Sequence, residues 1–219
     1  MNVTSMHDQT NEIVLGETVL GGQDLSLRIL RVNSAGMPVA WLSWQEAVCL
    51  HAREMVTWDY GEEVMSVHGG YSRISGDQTI VQLKSIIACR GKVHISGHKS
   101  PPLTNQALFR RDQNVCMYCG KSFQAYDLSR DHVQPISKGG KDNWTNVVAS
   151  CKRCNARKGN TLLSDTSMEL LALPYMPNHA EYLALTHSGR ILGDQMAFLK
   201  RQFSSKSRFF DEPFAVVTQ

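Results

Sequence analysis

The alternation of apolar and polar positions predicts a strand-rich region in the first half of the chain. Residues 27–33 (LRILRVN) form a short strand candidate, 34–36 a turn, and 38–42 continue as extended chain. Further strands are predicted between turn residues, at 56–60, 63–67 and 79–87, separated by Gly61 and by Gly69-Gly70. These elements predict a small mixed β-rich domain over residues 13–100.

A short helix is predicted between the second and third of these strands. Ser43 is followed three residues later by Glu46, which is the S-x-x-E form of a capping box. Apolar residues follow at 47, 48, 50 and 52, so the pattern predicts an amphipathic helix that supports the domain.

The second half of the chain begins after a proline-containing break. Residues 97–105 (GHKSPPLTN) contain consecutive prolines and small polar residues, which predicts a linker or domain boundary. Beyond residue 160 the pattern is helical, with Asn178 and Glu181 as a second candidate for a helix cap and capping box, and with an apolar periodicity over 191–203. We therefore predict a C-terminal helical extension over 161–203, followed by a loosely ordered tail over 204–219.

The composition is that of an ordinary globular protein. The 219 residues are 42% hydrophobic and 20% charged, enough for one domain or two small ones. The first twelve residues are polar, and no apolar run approaches the length needed to span a bilayer. We therefore expect a cytoplasmic protein that has no membrane segment.

Positive charge is concentrated in one part of the chain. Residues 104–160 hold ten Lys or Arg against four Asp, a net charge of +6, whereas the whole chain is +3 and the remainder is therefore −3. Such a local excess is typical of a surface that binds phosphates. A solvated basic face without a ligand is the alternative.

Four of the six cysteines predict a metal site. They form two C-x-x-C pairs, with 31 residues between the pairs, Cys116 with Cys119 and Cys151 with Cys154. Two intervening residues allow both thiolates of a pair to reach one tetrahedral Zn²⁺, and two pairs fill its coordination shell, which indicates a structural site. The alternative is four buried or redox-active thiols without metal. Cys49 and Cys89 have no such partner and are predicted to be small buried residues.

Between and after the cysteine pairs lies a run of residues with a recognisable order. It comprises 130–140 (RDHVQPISKGG), 146–148 (NVV) and 154–159 (CNARKG). This sequence resembles the HNH nuclease family, whose pattern is a D-H pair, a P-x-S-x-G-G loop, an N-L or similar pair and C-x-x-C-N-x-x-K-G. The match extends from 111 to 160. A looser resemblance covers much of 25–100, which is similar to the segment that precedes the nuclease module in a bacterial group of these proteins.

The resemblance implies an α+β fold. Its centre is a ββα-metal HNH module at 104–160, held together by the four-cysteine zinc site, with the mixed β-rich domain before it and the C-terminal helices after it. In this arrangement a β-hairpin and a helix surround one catalytic metal. Asp131 and His132 are expected at the end of the first strand, and Asn155 is expected to open the helix.

Hydrolysis of a phosphodiester requires an activated water, neutralised phosphoryl oxygens and a stabilised leaving oxygen. The resemblance implies that Asp131 and Asn155 hold the catalytic cation and that Asn146 fixes the loop by hydrogen bonds. His132 is the expected general base, since an imidazole with a pKa near 6.5 accepts a proton at neutral pH. The family often has His where this chain has Asn155, a weaker ligand, but a carboxylate with an amide carbonyl suits Mg²⁺ or Mn²⁺.

Basic residues of the same segment are predicted to contact phosphates. They are Arg110, Arg111, Lys138, Lys141, Lys152, Arg153, Arg157 and Lys158. Arg157 and Lys158 are expected at the start of the helix, where backbone N–H groups favour anions.

These observations predict a metal-dependent endonuclease whose partner is nucleic acid, most directly DNA. One alternative is a zinc-dependent nucleic-acid-binding module without catalysis, and another is a nuclease directed to RNA. The presence of Asp131, His132 and Asn155 together favours the enzyme, because a pure binding module has no need of all three.

Overall fold

A computed structural model describes residues 27–91, 100–187 and 189–208. These residues form two compact units: the first holds the chain up to 91 together with Leu192–Gln195, and the second holds the rest. The polar start of the chain, the first three residues of the predicted linker and the predicted tail beyond 208 lie outside the described residues.

The first unit is built on a four-stranded sheet with the order β2-β1-β4-β3. β1 (Ile29–Asn33) pairs antiparallel with β2 (Pro38–Leu42) and parallel with β4 (Gln78–Cys89). β4 also pairs antiparallel with β3 (Val56–Tyr71), so the two longest strands form a hairpin. The prediction of a strand-rich first half is therefore confirmed.

The helix α1 (Trp44–Ala52) begins at the predicted capping box. The Ser43 hydroxyl accepts a hydrogen bond from the backbone N of Glu46 at 3.3 Å, and the Glu46 carboxylate accepts one from the backbone N of Ser43 at 2.8 Å. Ala47 is buried in the apolar cluster of the sheet. Cys49 lies on the exposed side of the helix, so the prediction that it is buried is wrong, whereas Cys89 is buried.

Gly61 does not separate two strands, because β3 runs through it and through the glycine pair further along. Its φ is +90°, and a Cβ at this position would lie 2.1 Å from the Ser85 hydroxyl oxygen and 2.2 Å from a carboxylate oxygen of Asp194. That carboxylate accepts hydrogen bonds from the Ser85 hydroxyl and, at 3.0 Å, from the backbone N of Glu62. Glycine therefore permits a local irregularity of the strand and the close approach of Asp194.

The second unit contains a ββα arrangement. β5 (Leu128–His132) pairs antiparallel with β6 (Val147–Cys151), and α3 (Lys152–Lys158) follows β6 directly. β5 ends at His132, as predicted. The helix begins three residues before Asn155, so the prediction that Asn155 opens it is wrong.

Further helices precede and follow this arrangement along the chain. α2 (Asn105–Arg111) precedes it, and α4 (His179–His187) and α5 (Gly193–Lys200) follow it, as the helical pattern of the C-terminal region predicts. The Asn178 side chain caps α4 by accepting a hydrogen bond from the backbone N of Glu181 at 2.9 Å. Apolar side chains from α2, β5, β6, α4 and the loop before β6 form one cluster, which includes Leu108, Phe109, Trp144 and Leu185. None of the helices in the described segments is long and apolar enough to cross a membrane.

Arg111 lies at the end of α2 inside the protein. Its Nε and one terminal nitrogen donate to the Asp112 carboxylate at 2.9 and 3.0 Å. The remaining donors reach the backbone carbonyls of Trp144, Tyr175 and Val147 at 2.8 to 2.9 Å. The prediction that Arg111 contacts phosphate is wrong, because all five of its N–H groups are used within the protein.

Candidate active site and metal centre

The two C-x-x-C pairs meet in space. The sulfur atoms of the four cysteines all lie within 4.8 Å of one another, which is the arrangement that the spacing predicts. One pair flanks a tight turn, in which Gly120 has a φ of +71° and donates from its backbone N to the carbonyl of Cys116 at 2.9 Å. The other pair joins the end of β6 to the first turn of α3, where the backbone N of Cys154 lies 3.4 Å from the sulfur of Cys151.

The chemistry of this thiol cluster fits a divalent metal. Burial, together with the hydrogen bond and charges of the neighbouring cysteines, raises the pKa of Cys154, and burial likewise raises the pKa of Cys119. A cation that binds the four sulfurs reverses this effect, because coordination deprotonates the thiols. Four sulfur donors match the closed tetrahedral shell of a structural zinc site, so the cluster can hold a metal such as zinc.

Asp131 is held by two donors in the interior of the module. Its side chain is 6% exposed and accepts hydrogen bonds from the Tyr118 hydroxyl on one oxygen and from the Lys158 ammonium at 3.2 Å on the other. Lys158 also donates to the backbone carbonyl of His132 at 2.7 Å. Burial and the contact with Asp131 raise the pKa of Tyr118, so the phenol remains a donor. Each carboxylate oxygen has two lone pairs, so Asp131 can bind a cation while it keeps both of these hydrogen bonds.

Asp131, His132 and Asn155 line one cleft of about 320 Å³. The amide nitrogen of Asn155 donates to the Ser129 hydroxyl at 2.8 Å, which leaves the amide carbonyl as the end available to a cation. One carboxylate and one amide carbonyl form a set of hard oxygen donors. The ligand chemistry of Asp131 and Asn155 therefore suits a hard divalent cation such as Mg²⁺.

Asn146 lies outside the cleft and fixes the loop between β5 and β6. Its carbonyl oxygen accepts from the backbone N of Gln134 at 2.9 Å, and its amide nitrogen donates to the carbonyls of Gln134 and Lys141 at 3.0 and 2.9 Å. The loop starts directly after His132, so these bonds restrain the backbone at one end of the cleft. The effect of Asn146 on the reaction stays a prediction.

His132 has a partner that the sequence did not indicate. Its Nε2 lies 2.9 Å from a carboxylate oxygen of Asp142, and the same carboxylate receives two hydrogen bonds from Arg130 at 3.0 and 2.8 Å. Partial burial alone would raise the pKa of Asp142, but the hydrogen bonds from His132 and Arg130 hold it below its ordinary value. The carboxylate is therefore ionised at neutral pH.

The predicted phosphate contacts divide by exposure. Five of the eight are exposed, namely Lys138, Lys141, Lys152, Arg153 and Arg157. Arg110 is half-buried and donates to the carbonyls of Leu185 and Thr186 at 2.6 and 3.0 Å. The five exposed side chains, together called the basic surface below, remain candidates.

Two predictions about α3 are wrong. Lys158 is 1% exposed and bound to Asp131, so it is not available to a phosphate. Arg157 and Lys158 lie in the last turn of α3 and not in the first, so backbone N–H groups do not favour an anion beside them.

Tyr118 and Asp142 are the two contacts of the cleft that sequence reasoning missed. Tyr118 lies between the cysteines of the first pair, and Asp142 lies four residues before Asn146. The signals available were the position of Tyr118 inside the first C-x-x-C motif and the position of Asp142 between two recognised runs, 130–140 and 146–148. Neither residue type nor spacing shows which side chain it contacts, because both contacts join segments that are distant in sequence.

Comparisons with known proteins found similarity to one protein family and to two named endonucleases. Residues 116–171 match the model of a family described as HNH endonuclease. The CRISPR-associated endonuclease Cas9 of Corynebacterium diphtheriae is 35% identical over 72 residues, which are 32% of this chain and 7% of that protein. The protein of the same name from Actinomyces naeslundii is 40% identical over 48 residues, 22% of this chain and 4% of that protein.

The match covers only a small part of the length of these relatives. Among solved structures, the crystal structure of the Type II-C Cas9 enzyme from Actinomyces naeslundii is similar over 48% of this chain and 13% of that chain. The sequence identity is 20%, with a TM-score of 0.27.

Proposed function

We propose that this chain is a metal-dependent endonuclease that hydrolyses phosphodiester bonds of DNA by cutting or nicking, since residues 116–171 match the model of the HNH endonuclease family. The observation that carries the proposal is the convergence of Asp131, His132 and Asn155 on one cleft. The relatives named above are themselves called endonucleases.

His132 is the general base in this proposal. It takes a proton from the water that attacks the phosphorus atom, a role that requires a neutral imidazole in the cleft. Asp131 and Asn155 would hold the catalytic cation, Mg²⁺ or Mn²⁺. When bound, such a cation neutralises charge on the phosphoryl oxygens and on the leaving oxygen. Tyr118 and Lys158 hold the carboxylate, and Ser129 holds the amide, so both donors are oriented before substrate arrives.

Two other regions support the reaction without taking part in it. The thiol cluster would hold a structural Zn²⁺, and its four cysteines come from the turn before β5 and from the start of α3. The basic surface binds the phosphates on either side of the scissile bond, since its five side chains are exposed and positively charged. DNA is the proposed substrate, and RNA is tested beside it.

The test is cleavage of plasmid DNA, single-stranded DNA and RNA by the full chain with Mg²⁺ or Mn²⁺. We expect His132→Ala to cleave DNA more slowly by at least about a hundredfold, because general bases typically contribute that much. Zinc content, melting temperature and affinity for DNA should stay at the wild-type values. His68→Ala is the matched control, because His68 is exposed and lies in the first unit.

Each outcome discriminates between the alternatives. Equal cleavage by the wild type and His132→Ala would remove the assignment of the base. DNA binding without cleavage by the wild type would favour the zinc-dependent binding module. Cleavage of RNA alone would reassign the substrate.

A further inference from the structure

His132 lines the cleft, and its imidazole is hydrogen-bonded to the carboxylate of Asp142, a residue outside the cleft lining. The Nε2 atom of His132 and an oxygen of Asp142 are 2.9 Å apart. An ionised carboxylate only accepts hydrogen bonds, so Nε2 carries the proton and donates it. In a neutral imidazole the other nitrogen, Nδ1, then keeps a free lone pair, which is what a general base needs.

Asp142 is itself held in place by Arg130. The guanidinium donates to both carboxylate oxygens at 3.0 and 2.8 Å. Its other nitrogens donate to the Asn105 side chain at 3.0 Å and to the backbone carbonyl of Leu103 at 3.1 Å. Arg130 thus has a fixed orientation of its own and fixes Asp142 in turn.

The backbone next to Asp142 is restrained as well. The backbone carbonyl of Lys141, the residue before it, accepts a hydrogen bond from the Asn146 side chain at 2.9 Å. The loop also closes tightly, because a Cβ on Gly140 would lie 1.9 Å from the carbonyl oxygen of Gln134. Backbone and side-chain contacts therefore hold the Asp142 carboxylate at one place beside the imidazole.

We propose that Asp142 is a positioning residue that orients the His132 imidazole so that Nδ1 accepts the proton of the attacking water. The inference rests on the proposed function, in which His132 is the general base. As the water oxygen bonds to phosphorus, one water proton passes to Nδ1, the bond to the leaving oxygen breaks, and that oxygen takes a proton from solvent. The Nε2 proton stays on the ring, and its hydrogen bond to Asp142 keeps the ring oriented.

The exposure of Asp142 makes this role separable from folding. Its side chain is 51% exposed, and exposed ion pairs contribute little to the free energy of unfolding. A misplacement of about 1 Å at a reacting group can cost about a hundredfold in rate. Substitution of Asp142 should therefore affect catalysis far more than stability.

The experiment compares Asp142→Ala with Asp165→Ala in the full chain. Asp165 is the matched control, because its side chain is 53% exposed and its ion pair is with Lys138, not with His132. For cleavage of supercoiled plasmid with Mg²⁺ we expect Asp142→Ala to lose about 10- to 100-fold in kcat at an unchanged KM. Asp142→Asn should recover part of the loss, since its amide carbonyl can accept the bond from Nε2.

Two further measurements separate positioning from a general structural role. Because Asp142 acts through His132, the double variant His132→Ala/Asp142→Ala should cleave no more slowly than His132→Ala alone. NMR relaxation of the His132 ring carbons, which needs no activity, should show an ordered ring in the wild type and in Asp165→Ala and a mobile ring in Asp142→Ala.

The outcomes distinguish this inference from the proposed function. A mobile ring in Asp142→Ala with no cleavage by the wild type would support the contact and refute the nuclease. Wild-type kcat and an ordered ring in Asp142→Ala would overturn the inference while leaving the nuclease intact. Losses that add in the double variant would also overturn it, because Asp142 would then act on something other than His132.

Discussion

The thiol cluster and the oxygen donors of the cleft are two candidate metal centres in one module, and they are built in opposite ways. Three of the four cysteines are buried, and their four sulfurs lie within 4.8 Å of one another, so they can supply all four ligands of a tetrahedral metal. Asp131 and Asn155 offer only two oxygen ligands and line an open cleft. A closed sulfur shell is suited to holding the fold, whereas an open oxygen site leaves coordination positions for substrate and water.

The two centres also differ in how the protein balances their charge. Burial and the neighbouring thiols raise the pKa of Cys154 and so favour its neutral form, which means that the thiolate form would need a cation beside it. Asp131 is already paired with the Lys158 ammonium inside the protein. Removal of metal from the thiol cluster should therefore unfold the module. Removal of metal from the cleft should leave the fold intact.

The largest expected effect is at the thiol cluster. Cys151→Ala should abolish zinc binding and the cooperative unfolding of the module, because structural zinc contributes about 10–16 kcal/mol of apparent binding free energy. A whole domain is typically stable by only about 5–15 kcal/mol. Metal analysis and thermal unfolding followed by circular dichroism measure both effects. The control is Cys49→Ala, an exposed cysteine of the first unit, and equal melting of the two variants would show that the cluster does not hold the fold.

A smaller effect is expected at the ion pair of the cleft. Lys158→Met should lower the free energy of unfolding by about 3–5 kcal/mol, because it leaves the buried Asp131 carboxylate without its charge partner. Urea denaturation measures the change. Lys138→Met is the matched control, since Lys138 is 38% exposed and 3.8 Å from its partner, and a change within about 0.5 kcal/mol is expected there. A Lys158→Met protein as stable as the wild type would contradict the buried pairing.

The smallest effect is expected on the basic surface, which belongs to neither centre. Lys152→Ala should reduce the slope of log affinity for duplex DNA against log salt by about 1, because one phosphate contact and its released counterion are lost. Melting temperature should not change. Arg53→Ala, at an exposed position of the first unit, should leave the slope as it is. A slope that Lys152→Ala leaves unchanged would exclude Lys152 from the phosphate contacts.

Features with short-range signals could be predicted from the sequence. The capping boxes at Ser43 and Asn178 are confirmed, since each depends on residues three positions apart. The thiol cluster is confirmed for a similar reason, because each C-x-x-C pair constrains both thiolates to one ligand geometry.

Features that depend on distant partners could not be predicted. Lys158 reads as a surface charge in sequence, yet it is buried against a carboxylate 27 residues earlier. Gly61 reads as a strand breaker, yet β3 continues through it, and the carboxylate of Asp194, more than a hundred residues later, occupies the space that a side chain would fill. A local pattern records that a residue is charged or small, but tertiary packing decides what surrounds it.

The hydroxyl of Tyr118 has a consequence for protein engineering. Within the first C-x-x-C pair, only the two cysteine sulfurs would bind zinc. The two residues between them can therefore vary without changing the metal ligands. In this chain one of those two positions is Tyr118, which donates to Asp131 and so connects the turn of the first cysteine pair to the cleft. A graft that carried Asp131, His132, Asn155 and Lys158 onto another scaffold without Tyr118 would leave the carboxylate without one of its two donors. The smallest transferable unit is therefore the cleft together with the first cysteine pair.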